Sequence, residues 1–319
     1  MKRLLLRVLL ILFFLFMITN PQLSVSGAST GLLLWFHSII PSLLPFMILS
    51  NLLVSLNGIS LFTGLLHPLT GRLFGISKNG SYALLTGLVC GYPMGAKSCA
   101  DLLKARQISR QEAQYLLCFA NNPGPAFLAG YILQDLLKGK RLAAPYFLSV
   151  YGAPLLFALC LHLFTFAKGK KEEGLSPSFS PFRPDAGLDF RLLDCAIMDG
   201  FSTVTRLGGY IILFSILSAF LMKAEFLSMN LKLLLTAATE ITTGSRLICT
   251  GSIPGNGALQ GMAVCACISF GGVSGIFQTK SVISDTSLSL LPYIGSKLFV
   301  SLLSALMYLL TGSLLGCQI

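Results

Sequence analysis

The chain has 319 residues, of which 54% are hydrophobic and 11% are charged, and its mean hydropathy is +0.77. Soluble domains carry roughly 25% charged residues, so this composition excludes a water-soluble protein and indicates one whose surface faces lipid. The net charge of +11 does not indicate nucleic-acid binding, because the sequence has no recognition motif and its cations lie mostly in short segments between apolar runs.

The N-terminal region begins with cationic residues and an apolar run at residues 8–18, followed by small residues at Ser26 and Ala28. Residues 1–29 are therefore predicted to be either a cleaved signal peptide or a first membrane span that acts as a signal anchor, and the many later spans favour the span. A second span is predicted at residues 31–56, and a loop that contains His67 is predicted to follow it.

The next apolar run, residues 83–90, is too short to cross about 30 Å of hydrocarbon. It ends at Gly91-Tyr92-Pro93-Met94-Gly95, where a helix is expected to stop, and the chain resumes with Lys97 and becomes charged at Asp101. This pattern predicts two half-helices that meet at a glycine–proline tip, which is a re-entrant hairpin. Such irregular backbone is tolerated at membrane depth only where protein or a water-filled cavity satisfies it.

The helix after this hairpin is predicted to be broken in the middle. Ser109 and Glu112 form a capping box that starts it, and Asn121-Asn122-Pro123-Gly124-Pro125 interrupts it. Prolines cannot continue an ordinary lipid-facing helix, and the asparagines also suit the cap of a half-helix. A full span at residues 142–167 ends the first half, and residues 168–195 are predicted to be a flexible cytoplasmic linker.

The second half has the same order of elements. A span at residues 196–222 precedes a short apolar run, residues 231–238, which meets Glu240-Ile241-Thr242-Thr243-Gly244-Ser245-Arg246. The following helix is interrupted at Gly271-Gly272-Val273-Ser274-Gly275, and a last span is predicted at residues 290–315. The sequence thus predicts a second re-entrant hairpin and a second broken helix.

Residues 30–167 and 196–319 are therefore predicted to be two structural repeats. Gly95-Ala96-Lys97 corresponds to Gly244-Ser245-Arg246, and counting spans places the two hairpins on opposite sides of the membrane, so the repeats are predicted to be inverted. Paired, interrupted short segments in corresponding positions indicate a transporter site. The alternative is coincidence, because glycine and proline are common in membrane helices.

The four breaks are predicted to surround a polar pocket, because a broken helix exposes N–H groups with partial positive charge at its new N-terminus. Lys97, Arg206 and Arg246 add positive charge, and Glu240 is expected to pair with one of the arginines, so the pocket favours an anionic or strongly polar substrate. The alternative for Lys97 and Arg246 is that their side chains snorkel to the membrane–water interface. Lys297, early in the last span, is predicted to snorkel in the same way. The predicted substrate-binding residues are Gly91, Pro93, Gly95, Lys97, Asn121, Asn122, Gly124, Arg206, Glu240, Gly244, Arg246, Gly271, Gly272 and Ser274.

Four stretches of the sequence carry a resemblance to a known family. Residues 87–97, 108–113 and 119–125, together with residues 269–274 in the second half, resemble the YlbJ (SpoVV) family of sporulation integral membrane proteins. The resemblance extends over residues 35–308. It implies membership of the nucleoside-recognition, or gate-domain, group, which is similar in plan to concentrative nucleoside transporters. The fold implied is an all-α polytopic membrane protein with inverted repeats, two re-entrant hairpins and broken helices.

The resemblance also implies a role in spore formation, namely transport of dipicolinic acid across the outer forespore membrane by alternating access. The alternatives are a transporter of nucleosides or other polar metabolites and a non-transporting membrane scaffold that gates a partner complex. No enzymatic activity, metal, other cofactor or nucleic acid is predicted. The expected partners are the anionic substrate, membrane lipid and either a second copy of the chain or sporulation membrane proteins. A coupling ion would need carboxylates or carbonyls, which Glu240 and the broken helices offer.

Overall fold

The computed structural model describes residues 2–55, 59–139, 141–167, 190–251 and 257–315. Every regular element in these residues is a helix, which confirms the prediction of an all-α protein. Most of the predicted linker, residues 168–189, lies outside the described residues.

The N-terminal helices α1 (Lys2–Thr19) and α2 (Pro21–Leu34) meet at Asn20 with a bend of 106°. Helix α2 continues through a π-helical turn (Trp35–Ile39) into α3 (Ile40–Ser55), so the predicted second span lies within one long helical run. The small residues of the predicted cleavage site lie inside α2. The choice between a signal peptide and a first span stays a prediction.

The prediction of a loop after the second span is wrong, because the chain forms helix α4 (Ile59–Phe74) there. The helix presents apolar side chains to its surroundings, including Leu65 and Leu69. Arg72 lies in its last turn, where a cation complements the helix dipole. His67 therefore lies on a helix. The polar residues of this helix led to the wrong prediction of a loop.

The first hairpin consists of α5 (Lys78–Cys90) and α6 (Met94–Lys104), which pack against each other. They have 13 and 11 residues, so they are about 20 and 16 Å long, and neither crosses about 30 Å of hydrocarbon. Ser77 caps α5 by accepting the N–H of Gly80 at 3.0 Å, and Gly91, with a φ of +78°, ends the helix. The two short half-helices are confirmed, and their re-entrant position in a membrane stays a prediction.

The first broken helix begins as α7 (Arg110–Ala120), where the Ser109 hydroxyl accepts the N–H of Glu112 at 3.1 Å, as the capping box predicts. Residues 121–124 are not helical. The chain is helical again in a π-helical segment (Phe127–Leu136). The predicted interruption is therefore confirmed.

The second half also contains a long helix, two short helices that pack together and an interrupted helix, and the relation of the halves as structural repeats stays a prediction. Its hairpin helices, α10 (Met229–Thr239) and α11 (Ile241–Thr250), have 11 and 10 residues. Its broken helix is interrupted at Gly271 alone, so residues 272–275 are helical where an interruption was predicted. Helix α9 starts at Phe190, inside the predicted linker. The bounds of the remaining described helices are α8 (Ala143–Ala167), α9 (Phe190–Lys223), α12 (Gly257–Phe270), α13 (Gly272–Ile283) and α14 (Leu290–Leu314).

Four helical stretches among the described residues are long and apolar enough to cross a membrane, and the bent pair around Asn20 is a fifth if it counts as one span. The four are Ala143–Phe164, Phe190–Lys223, Gly257–Ile283 and Leu290–Leu314. They include the predicted spans at α8, α9 and α14. The prediction of a polytopic membrane protein is therefore confirmed, whereas the inversion of the two halves stays a prediction.

Helices α2 and α9 pack closely because small residues lie between them. A Cβ on Gly31 would lie 2.8 Å from Cα of Ile212, so only glycine allows this approach, as is common between membrane helices. One turn further on, the Trp35 indole donates to the Val204 carbonyl at 2.8 Å and lies over Gly208. This packing fixes the π-helical turn against α9.

Alanine at Gly208 is expected to lower the stability of the protein, whereas alanine at the adjacent Gly209 is not. A Cβ on Gly208 would lie 2.6 Å from the Trp35 ring, whereas one on Gly209 would have nothing within 4 Å. Overpacking of this kind costs about 1–3 kcal/mol, and Gly→Ala at an open helical position is neutral or favourable. Trp35 is the single tryptophan, so its fluorescence during thermal unfolding reports both variants. Equal midpoints for the two would contradict this packing.

Candidate functional site

The tip of the first hairpin packs backbone to backbone against the break in the first broken helix. A Cβ on Gly87 or Gly95 would overlap the carbonyl oxygen of Ala120, and one on Gly91 would overlap the backbone nitrogen of Gly124. Steric overlap therefore explains why glycine occupies these three positions around the tip. The glycines let the hairpin approach the broken helix at residues 120–124.

The second tip has the same relation to the second break. Gly272, with a φ of +69°, lies against the Thr239 carbonyl and the Ile241 N–H, at 3.1 and 3.3 Å from the position of a Cβ. Gly271 has a φ of +82°, and its Cβ would lie 2.7 Å from the hydroxyl of Tyr92, which comes from the first tip. Positive φ favours glycine, so both glycines are required for this junction.

Two tyrosines connect the halves. The hydroxyl of Tyr92 lies 3.5 Å from the Ile268 carbonyl oxygen and 3.4 Å from that of Ser269, just before the second break. Tyr131, which follows the first break, donates to the carbonyl of Thr242 at the second tip, at 3.0 Å. The two tips and the two breaks therefore meet in one place.

A cavity with a volume of about 60 Å³ lies at this junction. This is room for a few water molecules. Its wall is mostly apolar, with polar groups from both halves of the chain. The lining residues are Ile39, Leu43, Tyr92, Pro123, Gly124, Phe127, Leu207, Ile211, Glu240, Ile241, Thr242 and Gln278. Ser274 accepts a hydrogen bond from the Gln278 amide at 3.1 Å and so supports this wall.

Glu240 is fully buried and caps helix α11. Its carboxylate accepts the N–H of Thr242 at 3.0 Å, the N–H of Thr243 at 2.7 Å and the Thr242 hydroxyl. The predicted pairing of Glu240 with Arg206 or Arg246 is wrong, because no cation of the described chain lies within ion-pair distance of it. The helix N-terminus compensates the carboxylate instead.

The three predicted site cations do not line this cavity. Lys97 forms an ion pair with Asp101, one turn along α6, at 2.9 Å, and its side chain is 33% exposed. Arg246 is exposed on α11. Arg206 is exposed on α9, a helix of 34 residues, which is about 51 Å long and exceeds the membrane thickness. The role of these cations in substrate binding stays a prediction.

Asn121 is buried at the first break and joins three elements. Its amide donates to the hydroxyls of Thr279 on α13 and Tyr293 on α14, at 3.0 and 3.1 Å, and its oxygen accepts the N–H of Ala96 on α6 at 3.3 Å. Asn121 does not line the cavity but lies two residues before Pro123, which does. Its bonds hold the two halves together at the break.

Lys297 is the feature that the sequence interpretation missed. Its side chain is 0% exposed, so the interpretation that it snorkels to the interface is wrong. The ammonium donates to the Asn122 side-chain oxygen at 3.0 Å and lies 5.0 and 5.7 Å from the ring centroids of Tyr92 and Tyr293. A sequence signal existed, because Tyr293 lies four residues before the lysine and therefore on the same face of α14.

Of the other predicted residues, Gly124 and Glu240 line the cavity, Pro93 follows the cavity residue Tyr92, and Gly244 packs against Ala237 within the second hairpin. The predicted site is thus brought together at its breaks and tips. Lys297, which is buried beside this junction, was not among the predicted residues.

Apolar spanning helices, short half-helices and a buried polar junction define a multi-pass integral membrane protein. The chain is 29% identical to the sporulation integral membrane protein YlbJ of Bacillus subtilis (strain 168), over 93% of this chain and 81% of that protein. This similarity confirms the resemblance that residues 87–97 and 119–125 indicate. No protein-family model and no solved structure matches the chain.

Proposed function

We propose that this protein is a sporulation-associated transporter that moves a small anionic metabolite across a membrane. The observation that carries the proposal is the junction, where two hairpin tips and two broken helices from different halves enclose a cavity with polar groups. Broken helices at a repeat interface are the usual place for substrate sites in transporters. The similarity to a sporulation integral membrane protein supports the biological setting.

The chemistry of the junction suits an anion. Half-helices that start at Gly272 and after Gly124 present their N-terminal, partially positive ends here, and Lys297 adds a buried ammonium next to Asn122. The carboxylate of Glu240 is compensated by its own helix. Dipicolinic acid, a planar dicarboxylate, is the substrate proposed, and the outer forespore membrane is its proposed location.

Alternating access would require the two halves to separate where they are now bonded. The Gln114 side chain exchanges two hydrogen bonds with the Ser289 backbone, at 3.0 and 2.7 Å, and Arg110 donates to the Ser287 carbonyl at 3.1 Å. These bonds join the start of α7 to the loop before α14. The cavity is small, and release of these bonds would let the two halves separate around it.

Uptake of radiolabelled dipicolinate into proteoliposomes tests the proposal. Gln278→Leu removes a polar group from the cavity wall and is expected to reduce uptake about tenfold, since hydrogen bonds to charged groups contribute about 1.5–3 kcal/mol. Gln134→Leu, at an exposed position, is the matched control. Lys97→Ala and Arg246→Ala are expected to stay within about twofold of the wild type, as is usual for exposed charges.

Competition identifies the substrate class in the same assay. Unlabelled dipicolinate is expected to block uptake, whereas uridine is expected not to. Block by uridine alone would favour a nucleoside transporter. No uptake of either compound above protein-free vesicles would contradict the proposed function.

A further inference from the structure

The Lys297 side chain is a buried amine without a carboxylate of the described chain close by. Within the residues that the structure describes, no carboxylate lies within ion-pair distance of Nζ. The Asn122 oxygen at 3.0 Å and the faces of two tyrosine rings supply only partial negative charge. A charge at membrane depth is costly and marks a functional position when it faces a cavity or a partner. This site therefore favours the arrival of an anion.

Lys297 lies directly behind the wall of the cavity. Tyr92 lines the cavity, and its ring centroid is 5.0 Å from Nζ. Asn122, which holds the ammonium, immediately precedes the cavity residues Pro123 and Gly124. One aromatic ring and one backbone segment thus separate the cation from the cavity.

The hydroxyl of Tyr92, which is part of this wall, makes only long hydrogen bonds. Its hydroxyl reaches the carbonyls of Ile268 and Ser269 at 3.5 and 3.4 Å, whereas good O–H···O bonds measure 2.5–3.0 Å. The side chain is only half-buried, and the absent Cβ of Gly271 leaves room for the hydroxyl. A rotation of this ring would give up these two long hydrogen bonds and its contact with the Lys297 ammonium, and it would connect Lys297 with the cavity.

We infer that Lys297 binds a carboxylate of the transported anion and that the Tyr92 ring is the movable cover between this lysine and the cavity. The inference rests on the proposed function and deepens it, because it names the cation that selects the substrate. The favoured ligand is a carboxylate attached to a planar ring, since the Tyr293 ring, whose centroid is 5.7 Å from Nζ, stays beside the lysine when Tyr92 moves and offers a face for stacking.

Calorimetric binding of dipicolinate to the full-length protein in detergent tests this inference. Lys297→Met keeps the length of the side chain and removes its charge, and it is expected to weaken binding about 10- to 100-fold, the effect of losing a hydrogen bond to a charged group. Lys297→Arg is expected to bind more tightly than Lys297→Met. Lys280→Met, the same change at an exposed position on α13, is expected to bind like the wild type.

A measurement on the wild type covers the case in which Lys297→Met does not fold. The dimethyl ester of dipicolinic acid, which has the same ring and no charge, is expected to bind at least tenfold more weakly than dipicolinate, for the same loss of a charge-assisted bond. Equal binding of ester and dianion, or wild-type affinity in a folded Lys297→Met, would overturn the inference. Lysine-dependent binding without uptake into vesicles would leave the inference standing and contradict the transport function.

Discussion

Alanine at Gly87 is expected to abolish the folded protein. The new Cβ would occupy the position of the Ala120 carbonyl oxygen, and that oxygen belongs to backbone at the end of α7 rather than to a flexible side chain. A change of side-chain rotamer cannot relieve the overlap, because a Cβ and a backbone oxygen move only with the main chain. The loss of stability is therefore expected to exceed about 4 kcal/mol, which is exceptional for a single substitution.

Gly130→Ala is the control for this effect. Gly130 follows the same break, is exposed and would place its Cβ in open space. Size-exclusion chromatography of fluorescently tagged protein from membranes separates the two results. The wild type and Gly130→Ala are expected to give one symmetric peak, whereas Gly87→Ala is expected to give aggregate. A monodisperse Gly87→Ala with the wild-type melting temperature would refute the close contact between the first tip and its break.

The interruptions of the fold were predictable because their signals are local. Glycine, proline and asparagine end helices through their own backbone preferences, so Gly91, residues 121–124 and Gly271 mark real breaks. The length of each half-helix follows from these positions. Helix α4 was missed because its polar residues, among them His67, were given more weight than its apolar ones.

The charges of the site were not predictable in the same way. The sequence shows an aspartate one turn after Lys97, whereas the groups around Lys297 include residues from distant segments, such as Asn122, which the sequence alone does not bring together. The partner Asn122 lies in the first break, 175 residues away in the sequence. Glu240 was assigned to an arginine, although the N–H groups two and three residues further along were already available to it.

Removal of the Glu240 side chain is expected to loosen the second tip and to stop transport. Glu240→Ala leaves the N–H groups of Thr242 and Thr243 and one hydroxyl without their acceptor in a buried place. Each such group costs about 1–3 kcal/mol, so a loss of about 3 kcal/mol or more is expected. Glu240→Gln keeps one acceptor oxygen and is expected to lie between Glu240→Ala and the wild type.

Thermal unfolding and dipicolinate uptake measure both effects, with Glu225→Ala, at an exposed position before α10, as the control. The double variant of Glu240→Ala with Arg246→Ala distinguishes a helix cap from an ion pair. If Glu240 serves the helix N-terminus, the two stability changes add, because the residues share no bond. If the arginine were its partner, the double variant would lose less than the sum of the two single changes, because each single variant already breaks the pair. Additivity is expected, because the backbone of α11 already satisfies this carboxylate.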